Sequence, residues 1–140
     1  MGDLRECYDF KKAFEEHYIL YLDNESKNDS LKMVLFYAVE CGLKAAIIRE
    51  RGDTIDVLDE MKRIGHKLNM LVQKLKIAEN YRFPENIYDN KNHPIVHHKV
   101  HEAWRYGRDI AEKDNQTFED KLNKLASFLS EKLKSKSMKG

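Results

Sequence analysis

Glu40 and Lys44 interrupt the most apolar stretch of the chain, LKMVLFYAVECGLKAAIIRER. Their i, i+4 spacing puts them on one helix face with the acid first, the favourable order for a helical ion pair. Lone charges in a core are costly, so the two either pair structurally or border a cleft or interface. A second group follows Pro94, where His97, His101, Arg105 and Arg108 recur at spacings of four, four and three. On a helix that places two imidazoles and two guanidiniums on one face. Such a face suits an anion, a phosphate or an RNA strand, because Arg grips phosphate with paired N–H groups and His moves a proton near neutral pH. His101 and Arg105 are therefore the candidate catalytic pair, and Glu40, Lys44, His97, Arg108 and Tyr106 the candidate binding or orienting residues. A solvated or partner-facing surface accounts for the same spacing equally well. His97 and His101 also stand at the separation of two zinc ligands, but no cysteine or acid occupies a companion position, so no metal is expected. Trp104, in HEAWRYG, is expected in the core, and His66, after Gly65, is expected to cap a helix or join the core.

The elements that must carry these residues are helical. Leu4, Cys7, Tyr8, Phe14, Tyr18, Tyr21 and Leu22 recur at helical spacing, and the polar segment from Asn24 to Ser30 ends that first helix. Ser30 is expected to cap a second helix from Leu31 to Arg51, stopped by Gly52. Being apolar on nearly every side, it should lie at the centre of the fold. Asp53 or Thr54 should open a short helix through Arg63, with Gly65 separating it from the Leu68, Leu71, Val72, Leu75 stripe. Residues 79–94 hold both prolines and read as one long loop. Val96, Val100, Ala103 and Ile110 resume helical spacing, and a last helix is expected near Thr117, where Thr117 and Asp120 resemble a capping box. The expected architecture is all-α: an up-and-down bundle of about five helices over residues 1–133, with a flexible basic tail over 134–140.

A chain of 140 residues, 41% hydrophobic and 35% charged, is long enough to bury a core without disulfides or structural metal. Its two cysteines, Cys7 and Cys41, read as small buried hydrophobes in a reducing, cytoplasmic setting. No run approaches the length of a membrane span, so no membrane partner is expected. A net charge of +1 means that any attraction for nucleic acid must be local. The chain contains no P-loop, dinucleotide-binding glycine fingerprint, nucleophile elbow or CxxC pair, and no cofactor is expected.

Taken together, SLKMVLFYAVECGLKAAIIRERG, GHKLNMLVQKL and HEAWRYG resemble the small bacterial HEPN-domain proteins, over roughly residues 30–110. Glu40 with Lys44 is similar to the Glu-x3-Lys element of that family's second helix. The resemblance implies a helical bundle that forms homodimers and serves in toxin–antitoxin, CRISPR-associated or phage-defence systems. Many such proteins are metal-independent ribonucleases that carry an Arg-x4-6-His motif. This chain lacks that motif; its nearest approach is the reversed order, His101 to Arg105, one helical turn apart. The family also has non-catalytic members. The resemblance thus implies a HEPN-like protein that binds RNA or a nucleotide. It would act either as a metal-independent ribonuclease or as a non-catalytic interaction or assembly subunit, with a protein partner from the same operon.

Overall fold

A helix that is apolar on every side has to be covered on every side, and the fold is arranged around one. The computed structural model describes the backbone of residues 4–137 and the side chains of residues 9–134. Within it α1 spans Leu4–Asp23, α2 Asp29–Arg51, α3 Ile55–Ile64, α4 Leu68–Leu75, α5 Val100–Tyr106 and α6 Glu112–Ser137. Helix α2 is central: α1, α3, α4, α5 and α6 all pack on it. Leu35, Phe36, Val39, Leu43, Ile47 and Ile48 are almost fully buried along its length. Packing is tight at Gly42, where an added Cβ would lie 2.9 Å from the Phe14 ring of α1 and 3.0 Å from Leu129 of α6. Burial of these side chains at roughly 2 kcal/mol each is the main force holding the helices together.

Local signals set the ends. Asn28, not Ser30, caps α2, its side chain accepting from the Leu31 amide at 3.0 Å, and Arg49 and Arg51 complement the negative end of the dipole. Thr54 caps α3 by accepting from Val57 at 3.3 Å. Between α1, α2 and α6 a buried polar knot joins Glu119 to the Tyr21 hydroxyl and, at 3.8 Å, to Lys32.

The expected bundle of about five helices is a bundle of six with a two-stranded hairpin, among the described residues. The hairpin lies in the segment expected to be loop. Strand β1, Asn86–Tyr88, pairs antiparallel with β2, Pro94–Val96, in the register Asn86 to Val96, Ile87 to Ile95 and Tyr88 to Pro94. Ile87 and Ile95 point into the core while Asn86 and Tyr88 face out. Asp89 closes the turn: its carboxylate accepts from the Lys91 and His93 amides and from Arg108. The last helix begins at Glu112 rather than near Thr117. The Ala111 amide bonds to the Tyr88 carbonyl and Asp114 accepts from the Tyr88 amide, so the hairpin fixes where α6 enters. Asp120 takes a bond from Gln116, not the expected cap. Helix α6 continues to Ser137, and the side chains of the expected tail beyond Lys134 lie outside the described residues, as does the side chain of Cys7. No described helix is long and apolar enough to cross a membrane.

Candidate functional site

Two elements, the turn after α3 and helix α5, converge on the polar face of α2. Phe36, Tyr37, Glu40 and Lys44 lie along one stripe of that helix, as spacings of three and four dictate. The turn after α3, with Gly65 at φ 60°, delivers His66, and α5 delivers His101 and Arg105 from successive turns. Glu40 is the hub. Its Oε2 accepts from the Lys44 ammonium at 2.9 Å and its Oε1 lies 2.7 Å from Nδ1 of His66. The Glu40 and Lys44 side chains are only 12% and 7% exposed, so the ion pair is largely withdrawn from water, whereas His66 is 46% exposed. A carboxylate on Nδ1 holds the proton there and leaves Nε2 as the ring's proton acceptor.

His101 lies on the other side of His66, ring centroids 4.3 Å apart. It packs on Phe36 at 4.7 Å and Tyr37 at 5.6 Å and is almost fully buried. Burial, then the neighbouring His66, pulls its pKa down to about 4, so the ring is neutral near pH 7. Its Nδ1 is buried without a hydrogen-bond partner. Arg105 is exposed and donates from Nη2 to the Tyr37 hydroxyl at 3.0 Å. The Tyr106 and Tyr37 hydroxyls raise its pKa further above its ordinary value. Burial in turn raises the pKa of Tyr37. The chain of contacts therefore runs Lys44, Glu40, His66, His101, Tyr37, Arg105, with a buried cation at one end and an exposed one at the other.

Of the residues singled out in the sequence, Glu40, Lys44, His101 and Arg105 come together, and Tyr106 stands beside Arg105 with most of its ring in solvent. His97 and Arg108 do not join them, which corrects the expectation of one face carrying all four basic residues. Helix α5 starts only at Val100, after a 3-10 turn at His97–Lys99, and ends where Gly107 turns left-handed at φ 76°. Helical spacing is thus broken at both ends of the stripe. His97 is buried against α4, its Nε2 accepting from the Asn69 amide at 3.3 Å. Arg108 turns to the hairpin and donates from Nε and Nη2 to Asp89 at 3.1 and 2.9 Å. That contact and the two backbone amides, His93 foremost, hold the Asp89 pKa down to about 2.

Tyr37 is a member that the sequence did not single out, and His66, expected to cap a helix or join the core, is instead half-exposed with Nδ1 on Glu40. Tyr37 could have been found one turn before Glu40 on the same stripe. His66 meets Glu40 across 26 positions, a contact that no local spacing encodes. Trp104 is in the core as expected, its indole N–H donating to Asn115 at 2.9 Å. Cys41 is half-buried, and burial pushes its thiol pKa up to about 11. Among the described residues no three His, Cys, Asp or Glu side chains are gathered as a metal site requires. Comparison with protein-family models, with curated proteins and with solved structures finds no match to this chain.

Proposed function

We propose that this chain is a HEPN-like RNA-binding protein that cleaves a phosphodiester without a metal, using His66 as the proton acceptor. One observation carries the reading: the 2.7 Å contact between the Glu40 carboxylate and Nδ1 of a half-exposed His66, with Arg105 and Lys44 to either side. A carboxylate behind an imidazole fixes its tautomer and stabilises the imidazolium that forms when Nε2 takes a proton. Arg105, exposed and permanently charged, suits a phosphate oxygen.

In this scheme Nε2 of His66 removes the proton of a ribose 2′-hydroxyl as that oxygen bonds to phosphorus. The bond from phosphorus to the 5′-oxygen breaks, and the proton on His66 returns to the leaving oxygen. The products are a 2′,3′-cyclic phosphate and a 5′-hydroxyl. His101, neutral and buried, supports the His66 ring by packing, so the proton-transfer role expected of it passes to its neighbour. The biological setting implied by the family resemblance, toxin–antitoxin or phage defence, is part of the same proposal. Incubating the purified protein with mixed RNA in EDTA tests it: cyclic-phosphate ends should accumulate, and fall by about 100-fold or more in His66→Ala, the usual cost of losing a general base.

A second reading, a non-catalytic interaction or assembly subunit, is favoured by Ile19, Leu20 and Leu22, large apolar side chains that are about half exposed near the end of α1. A homodimer or a partner from the same operon would cover them. RNA binding without cleavage, with a mass near twice 16.6 kDa by light scattering, would favour that reading.

A further inference from the structure

The turn that presents His66 and the segment that presents His101 also contribute neighbouring residues to a second feature. Lys67 follows His66, and His97 and His98 precede His101. Lys67, His97 and His98, with Gln73 and Arg82, line a recess of about 210 Å³ against α4. Asn69 and the apolar Met70 complete its wall, and Glu85 is the one carboxylate in it. His97 is 5% exposed, and because its Nε2 accepts from the Asn69 amide, its proton sits on Nδ1. That buried N–H has no hydrogen-bond partner. The Glu85 carboxylate lies 3.6 Å from this Nδ1 and also stands 4.0 Å from Arg82. The Glu85 side chain is 66% exposed, and neither of these contacts is as short as a hydrogen bond. An unmet donor, a lysine, an arginine and an amide thus surround a space in which a loosely held carboxylate is the only anion.

We infer that this recess is a phosphate subsite that takes a second phosphate of the RNA strand cleaved at His66, with Glu85 as a displaceable stand-in. The inference rests on the RNA-cleaving reading above and narrows its substrate to a chain bearing at least two phosphates, rather than a mononucleotide. The two sites share the backbone of residues 66–67 and 97–101, so a strand crossing the turn at Gly65 meets one after the other. His97 and His98 are neutral near pH 7, their pKa values lowered chiefly by burial, so Lys67 and Arg82 supply the charge and the histidines supply hydrogen bonds.

The test compares the dinucleoside monophosphate UpU, which carries only the scissile phosphate, with UpU bearing one added terminal phosphate, at either end. Wild type should bind the phosphorylated form about tenfold more tightly. Arg82→Gln and Lys67→Gln, both at exposed positions, should abolish that preference while leaving UpU cleavage intact. On longer single-stranded RNA, each should lower the slope of log affinity against log salt by about 0.7. Glu85→Gln should move the other way and strengthen the preference, a gain that loss of a merely structural ion pair would not produce. An unchanged preference and salt slope in Arg82→Gln and Lys67→Gln, with UpU still cleaved through His66, would overturn the subsite and leave the cleavage site standing. No binding of either UpU form by wild type would overturn both.

Discussion

Replacing Lys44 by Met removes the ammonium that neutralises a carboxylate in the middle of the central helix. The two side chains are 7% and 12% exposed and 2.9 Å apart, so water cannot take over the lost role. Breaking a buried pair from one side costs about 3–5 kcal/mol. Here the lower end applies, about 3 kcal/mol, because Glu40 keeps its contact with His66 at 2.7 Å. For a domain of this size that is a fall in Tm of roughly 10 °C. The double change Glu40→Leu with Lys44→Met fills the same space with apolar atoms and should recover most of the loss, since the lone charge is gone. Thermal denaturation followed by far-UV circular dichroism measures all three proteins. A Lys44→Met variant within about 1 kcal/mol of wild type would refute the burial argument, as would a double variant less stable than the single one.

His101 predicts a pH dependence. Its folded pKa is depressed to about 4 from the ordinary 6.5, so below pH 6.5 the unfolded chain binds a proton that the folded one refuses. Its contribution is whole above that pH and is lost as pH falls toward 4, about 3 kcal/mol in all, and His101→Phe should flatten the dependence in denaturant titrations over that window. Asp89→Asn or Arg108→Gln should loosen the hairpin, lowering Tm and protease resistance, without changing RNA affinity, because Arg108 is engaged with Asp89. Gly42→Ala gains about 1 kcal/mol of helix propensity but drives a methyl into Phe14 and Leu129. Overpacking of about 1–3 kcal/mol should win, so Tm should fall.

Where sequence and structure agree, a local rule was sufficient. The centrality of α2 follows from apolar residues on every side, and the convergence of Glu40 with Lys44 and of His101 with Arg105 follows from i, i+4 spacing within one helix. Where they part, a long-range contact decided. The hairpin is short, and two prolines and the turn residues mask its Ile87 and Ile95 pairing. The early start of α6 at Glu112 depends on bonds to Tyr88, far back in the chain. Arg108 is drawn to Asp89 once Gly107 ends α5, and helical extrapolation past a glycine overshot that point. His66, the centre of the site, is joined to Glu40 only by the folding of α3 and α4 over α2.

Chemical rescue shows whether His66 accepts a proton during RNA cleavage. Single-turnover cleavage of a short RNA would be followed in EDTA for wild type and for His66→Ala, with and without added imidazole. His66→Ala should be slowed by about 100-fold or more, and imidazole should restore a saturable part of the rate. Equal rates in the two proteins, or cleavage in neither, would contradict proton transfer by His66.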